Sequence, residues 1–335
     1  MRTAVVSVVL LLTLALALPV QAQSDRLMVY SGLLEAENAV LLDAFTKKTG
    51  IRAECIRAGG GELVARIRAE KASPKGDINL GGAAEGHEVL AMEGLLLPYR
   101  SPEHRFIDVR YRDQKDMWHP FYLGALVIAV NRPRFEREMK PKGLDYPKKW
   151  EDLLHPAYKG EIVIASPFFS GQAMTFVAGQ LLRLGEERGW KYLEDLDKNV
   201  NQYTRSGTAP GHMAAIGEFL VSILMGHAIL TFIAQGHPLY MVYPPGTGWE
   251  VGALSIIKGG PNTEAAKRFV DWMLGKEAGK LHSDISMRIS TRPDVPMPTG
   301  VIPLSEIDLL ETFDFNWVAQ HRDAILRTWD SKFRR

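Results

Sequence analysis

The stretch RLMVYSGLLEAENAVLLDAFTKKTGIRAECIRAGGG, residues 26–61, sets the fold class. Residues 26–30 read as a short strand. An amphipathic helix follows over 35–49, with Val40, Leu41, Ala44 and Phe45 recurring at helical spacing and Gly50 where a C-terminal cap belongs. A second strand, over 51–56, runs into Arg57-Ala58-Gly59-Gly60-Gly61. The unit then repeats: a helix over 62–71, Ser73-Pro74, a strand over 77–80, the Gly81-Gly82 turn, and a helix near 85–94. Strand and helix alternate without interruption. That order predicts an α/β fold, a mostly parallel sheet with helices on both faces.

Further along, a long apolar strand over 122–131 ends at Asn131-Arg132-Pro133 and is read as a crossing between two lobes. A second α/β unit follows. It has a short helix over 150–154, a strand over 161–165, a helix over 171–184 opened by Ser170, and helices over 189–197 and 210–219. A strand over 239–243 precedes a Pro-Pro-Gly-Thr-Gly turn, and a strand over 252–258 is read as the return crossing. The helix over 263–275 carries Asn262-Thr263 at its start and Glu264 in its first turn, both N-terminal signals.

Upstream, Arg2 begins the chain, residues 4–18 are almost wholly apolar, and Pro19-Val20-Gln21-Ala22 places small residues before a cleavage point. This is the layout of a secretory signal peptide over 1–22, leaving a chain that starts at Gln23 and acts in the periplasm. The most apolar later segment, 218–233, is interrupted by Glu218 and His227. The formal net charge of +1 falls to about zero without Arg2, which argues against a nucleic-acid partner. Cys55 is the only cysteine, so no internal disulfide is possible.

Enzyme signatures are missing. There is no HExxH, GxSxG, Walker A or GxGxxG motif in its required context, and the nine histidines include no i, i+4 pair. The expectation is a protein without catalytic residues, cofactor or metal.

The sequence offers instead a set of turns rich in small residues: Ser31-Gly32, Gly59-Gly60-Gly61, Gly81-Gly82-Ala83-Ala84, Ser170-Gly171-Gln172 and Ser206-Gly207-Thr208. In a parallel sheet such turns lie at the carboxyl ends of strands, where ligands bind. A helix N-terminus presents unpaired N–H groups and partial positive charge to a phosphate or a carboxylate. Helix capping alone explains any one of these turns; five over two α/β units point to a cleft. Arg57, just before the glycine run, could pair with the same anion. Trp249 could wall the cleft, and Glu250 could accept hydrogen bonds from ligand hydroxyls or an amine.

Several longer blocks carry a resemblance: AFTKKTG (44–50), EGLLLPY (93–99), PKKWEDLLHP (147–156) followed by YKGEIVI (158–164), GTGWE (246–250) and FVDW (269–272). With them, nearly the whole chain after residue 22 resembles the iron(III)-type family of periplasmic ABC-transporter binding proteins. The resemblance implies a two-lobed type II periplasmic-binding-protein fold. One lobe would be built from 23–128 plus 252–300, the other from 129–251 plus 301–335. It also implies a monomer that closes on a small solute and delivers it to an inner-membrane ABC permease.

The ferric members of that family hold Fe3+ through tyrosinates, usually with a Tyr-Tyr pair after a strand that would correspond to 228–232. That place reads Thr231-Phe232-Ile233-Ala234-Gln235, and Tyr240 and Tyr243 on a strand point to opposite faces. The blocks SGTAP (206–210) and GTGWE are more similar to the subgroup that takes sugar phosphates or aminoalkylphosphonates. The resemblance therefore implies ligand contacts from Ser31, Gly60, Gly61, Ser170, Gly171, Ser206, Thr208 and Glu250, beside the candidates Arg57, Ala83, Gln172, Gly207 and Trp249. A small anionic solute, organophosphate or phosphonate, is the first expectation. Ferric ion with an unusual oxygen set and a secreted hydrolase on a two-lobed scaffold are the alternatives.

Overall fold

The computed structural model describes residues 26–333; the expected signal peptide lies outside them. The first unit runs β1 (Arg26–Ser31), α1 (Glu35–Thr49), β2 (Arg52–Arg57), α2 (Gly60–Ala69), β3 (Ile78–Ala83), α3 (Ala84–Met92) and β4 (Leu96–Leu97). The crossing strand β5 (His119–Asn131) leads through α4 (Arg132–Glu138) into β6 (Ile162–Ala165), α5 (Gly171–Leu184), α6 (Glu186–Asp197), β7 (Val200–Thr204), α7 (Ala209–Ala215), β8 (Val221–Met225), α8 (Gly226–Ala234) and β9 (Leu239–Val242). The chain returns along β10 (Trp249–Ile257), then forms α9 (Thr263–Met273), α10 (Lys276–Ser286), β11 (Ile289–Ser290) and α11 (Phe315–Phe333).

Parallel pairing organises the first lobe. β1 lies between β2 and β3, with Val29 opposite both Cys55 and Ile78. Antiparallel β10 then joins β3, and β5 joins β10. The partners of β5 change between Ala125 and Leu126: Ala125 faces Trp249 of β10, whereas Leu126 faces Met225 of β8. From there β8 pairs in parallel with β6, and β6 with β7. One strand thus belongs to both lobes, and all thirteen of its residues are buried.

Each lobe has its own core. In the first, Phe45 of α1 meets Phe269 of α9 edge to face at 4.9 Å above Leu27, Val29 and Ile78. In the second, Trp150, Phe176, Leu193 and Trp329 enclose Ile128 and Ile162. Helix α11 serves both: Val318, Ile325 and Trp329 enter the second core, while Ala319 packs in a cluster with Val89 and Leu90 of α3.

Local signals act where expected. Gly50 ends α1 in the left-handed region (φ 74°) with its N–H on the Thr46 carbonyl, and the Asn262 side chain accepts from the Ala265 N–H to open α9.

The segment 228–232, expected as a strand, is instead the middle of helix α8, and the strand is the preceding β8. A short apolar run does not reveal its own period, and here one such run, 223–225, lies before Gly226-His227 and another, 228–230, after it. The return crossing starts at Trp249 rather than at 252, and β7, α10 and α11 are elements the sequence pattern did not mark. Among the described residues, no helix is long and apolar enough to cross a membrane.

Candidate functional site

Because β1, β2 and β3 are parallel, their carboxyl ends and the turns that follow lie along one edge of the first lobe. Facing them across a cleft of about 310 Å³ are the turns before α5 and α7 and the start of α8. The crossing strands supply the floor, with Tyr122 from β5 and Glu250 from β10.

The outer part of the cleft is built from helix starts. Gly60 is the first residue of α2 and Gly171 the first of α5, so neither N–H has an intrahelical acceptor. Ser170 caps α5, its Oγ accepting from the Ala173 N–H at 3.4 Å. In the third turn the hydroxyls of Ser206 and Thr208 lie 3.3 Å apart. Gln172 ties these pieces together. Its Nε2 donates to the Gly207 carbonyl, and its Oε1 accepts from the Met225 N–H at 2.9 Å. Arg57 lines the same wall while its Nε donates to the Leu33 carbonyl at 2.9 Å.

The lobes touch at the cleft mouth. The Gly61 N–H donates to the Phe169 carbonyl at 3.3 Å. A Cβ on Gly59 would stand 2.3 Å from that oxygen, and one on Gly61 would stand 2.1 Å from the Phe168 oxygen. Only glycine permits this approach. Arg205, stacked on Phe169 at 4.1 Å, pairs across the gap with Glu62 at 2.5 Å.

The inner end is chemically different. Arg288 and Glu37 form a buried pair at 2.6 Å, with His282 Nε2 at 3.5 Å from the same carboxylate oxygen. Burial, the largest influence, would raise the Glu37 carboxyl, but the Arg288 guanidinium and the His282 ring together outweigh it and hold the group down at about 2. That guanidinium also lies over the Tyr122 ring, 4.7 Å from its centre. Glu250 forms no ion pair among the described residues; burial, only partly offset by the Arg288 charge and the Tyr122 hydroxyl, pushes it up to about 8, a neutral carboxylic acid at pH 7. Burial likewise keeps His227 neutral, well below the usual histidine range, and holds the Tyr122 hydroxyl protonated. His227 Nδ1 and Glu250 Oε1 both stand over Gly124, and the histidine nitrogen has no hydrogen-bond partner.

Of the residues singled out from sequence, the structure gathers Arg57, Gly60, Ser170, Gly171, Gln172, Ser206, Gly207, Thr208 and Glu250 on this cleft. Four lie elsewhere. Ser31 is fully buried, its Oγ donating to Asn38 Oδ1 at 2.6 Å and accepting from the Leu33 N–H, so neighbouring Gly32 takes its place on the wall. Gly61 and Ala83 face a smaller chamber behind the cleft. Trp249 packs against Phe315, with its indole N–H 3.3 Å from the Leu310 carbonyl. Successive residues of a strand point to opposite faces, so Glu250 and Trp249 cannot both face the ligand.

Glu37, Tyr122, Arg205, His227 and Arg288 were not anticipated. Arg205 carried a usable signal, since it precedes a Ser-Gly-Thr turn as Arg57 precedes the glycines. Glu37, Tyr122 and His227 sit in ordinary helix and strand sequence, and Arg288 in the short link between α10 and β11.

The profile of the family described as "Bacterial extracellular solute-binding protein" matches residues 86–321. An uncharacterized protein of Haemophilus influenzae is 33% identical over 313 residues, covering 91% of this chain and 89% of that protein. A candidate 2-aminoethylphosphonate-binding periplasmic protein of Salmonella typhimurium is 26% identical, covering 80% and 79%. Among solved structures, the periplasmic binding protein AfuA from Actinobacillus pleuropneumoniae with fructose-6-phosphate bound superimposes with a TM-score of 0.87 at 32% identity, over 92% of this chain and 98% of that one. Iron-bound HitA from Pseudomonas aeruginosa shares the fold, with a TM-score of 0.79 at 21% identity over 90% and 98%.

Proposed function

The chain belongs to the family of bacterial extracellular solute-binding proteins, and we propose that it captures a small organic phosphate or phosphonate between its lobes for an inner-membrane ABC importer. One observation carries this reading. Helices α2 and α5, from opposite lobes, begin at Gly60 and Gly171 on the same cleft, among the hydroxyls of Ser170, Ser206 and Thr208 and beside Arg57 and Arg205.

A helix start stabilises an anion by about 0.3–1 kcal/mol when exposed and by up to about 2 kcal/mol when partly buried. Two starts, several hydroxyl donors and two guanidinium groups suit a multivalent oxyanion. The inner end, with a neutral acid, a neutral imidazole, a phenol and the Arg288–Glu37 ion pair, offers donors and acceptors that suit hydroxyl groups. A solute with an anionic head and a hydroxylated body therefore fits the cleft from mouth to floor. The fructose-6-phosphate of AfuA and the ligand named for the Salmonella relative are both of the organophosphorus class.

The alternatives draw less support. Among the described residues, no group of three or more His, Cys, Asp or Glu is disposed to hold a metal ion. Tyr240 packs on Tyr146, and Tyr243 lies against Gly226. For a hydrolase, the lining histidine His227 would need a hydroxyl on Nδ1, and it has none.

The test is a thermal-shift and calorimetric panel of hexose phosphates, aminoalkylphosphonates, simple carboxylates, and Fe3+ with citrate. A ligand at about 100 times its Kd should add about 2.7 kcal/mol of stability. Stabilisation by an organophosphorus compound, lost in Ser206→Ala, is the expected result. A response to Fe3+ or carboxylates alone would overturn the reading.

A further inference from the structure

Behind the cleft, beyond the glycine turns, lies a second, smaller space of about 20 Å³. It shares Gly60, Gly82 and Gly171 with the cleft wall and reaches inward to Asn79, Glu85 and Arg322. The side chain of Arg322 comes from α11 and is 5% exposed. No described carboxylate lies within ion-pairing distance of its guanidinium, and no hydrogen bond ties it. Its Nη2 stands 3.1 Å from where a Cβ on Gly61 would be, in the first turn of α2. A buried guanidinium without a counter-charge is costly, several kcal/mol in a protein interior, and is retained where a negative group comes to meet it.

The nearest candidate inside the protein is Glu85. Its Oε1 accepts from Thr175 Oγ1 at 3.1 Å, bridging α3 to α5, while its Oε2 has no partner. Burial pushes this carboxyl up to about 7, so it does not supply a full counter-charge at neutral pH. Asn79 Oδ1 is also unpartnered. A space of this size admits one water, and here that water would find one donor, Arg322, and two acceptors, Glu85 and Asn79.

We propose that Arg322 is a positioning residue for the ligand's anionic group. It supplies positive charge behind the starts of α2 and α5 and, through one chamber water, braces the glycine turns that touch the ligand. The counter-charge that Arg322 lacks is then the solute itself. This rests on the anion-binding reading above, and it goes further by assigning α11 a part in recognition.

The test compares the full chain with Arg322→Lys, Arg322→Met and Glu85→Gln. Calorimetric Kd values are taken with fructose 6-phosphate, 2-aminoethylphosphonate and inorganic phosphate, and Tm is measured without ligand. Arg322→Met should weaken the preferred probe by about tenfold or more, whereas Arg322→Lys, which keeps the charge, should stay within about threefold of the parent. Glu85→Gln removes the competing negative charge and keeps an acceptor for Thr175; it should bind as tightly as the parent or tighter.

Arg322→Met within twofold of the parent would overturn the proposal. So would Arg322→Lys as weak as Arg322→Met, or a loss in Glu85→Gln equal to that in Arg322→Met, since each makes the chamber a packing feature only. Should Arg322→Met not fold, the Lys and Gln variants decide. A parent chain that binds none of the three probes defeats the anion reading itself. A parent that binds while all variants match it defeats only the role of Arg322.

Discussion

Glu62 and Arg205 meet at 2.5 Å across the mouth of the cleft, one from each lobe, with side chains 36% and 72% exposed. A pair this wet contributes about 0–1 kcal/mol. Its place, rather than its strength, gives it an effect, because it forms only when the lobes are together. Glu62→Gln should therefore leave Tm almost unchanged while increasing the open population of the ligand-free protein, read as a larger radius of gyration in solution scattering. An unchanged scattering profile would mean that the clasp does not bias closure.

Gly61→Ala should have a sharper effect on the same motion. The added methyl would sit 2.1 Å from the Phe168 carbonyl oxygen, a contact that backbone atoms cannot relieve cheaply. The lobes must then stop short of the contact between α2 and the Phe168-Phe169 turn. Expected outcomes are a Kd weakened by about tenfold or more and a scattering profile that no longer compacts on adding ligand, with little change in ligand-free Tm.

Glu250 links stability to alkaline pH. Its folded-state value, about 8, lies above the ordinary carboxylate value of 4.5 because the group is buried. The folded chain therefore holds a proton that the unfolded chain releases. This contribution is complete below about pH 4.5 and is lost as pH rises through about 8. Glu250→Gln should flatten that part of the Tm-against-pH curve. An equally steep decline in the variant would assign the effect to Glu85 or another group.

Glu37 works in the opposite direction. Held at about 2 by Arg288 and His282 against its burial, it favours the folded state above pH 4.5 and loses that contribution as pH falls toward 2. Arg288→Met would strand the carboxylate in a dry site, at a cost of about 3–5 kcal/mol. Denaturant titrations should show this loss at pH 7 and a shallower acid limb, because the unpaired Glu37 would take up its proton earlier.

What could be read in advance follows the range of the interactions. Gly60, Ser170, Gly171, Ser206 and Thr208 belong to turns whose chemistry is contained in three or four consecutive residues, so the sequence displays it directly. The alternation from residue 26 to residue 94 displays the first lobe in the same way. The inner end is another matter. Glu37, Tyr122, His227 and Arg288 come from α1, β5, α8 and the segment after α10, and nothing near any of them announces the others. Only the folded chain makes the pair that holds Glu37 ionised and the burial that keeps Glu250 neutral. Helix α8 is hidden for a related reason: 228–232 is apolar except for Thr231, too short a run to show its period, and packing against Gly211 and Tyr243 separates helix from strand there.

Strand β5 has a bearing on how the molecule comes apart. Its Ala125 is paired in one sheet and its Leu126 in the other, so neither lobe can melt without stripping an inner row of hydrogen bonds from its neighbour. Heat should accordingly reveal one calorimetric transition, with van't Hoff and calorimetric enthalpies in agreement, instead of two overlapping ones. A solute that contacts either wall of the cleft would then protect the entire chain against denaturation.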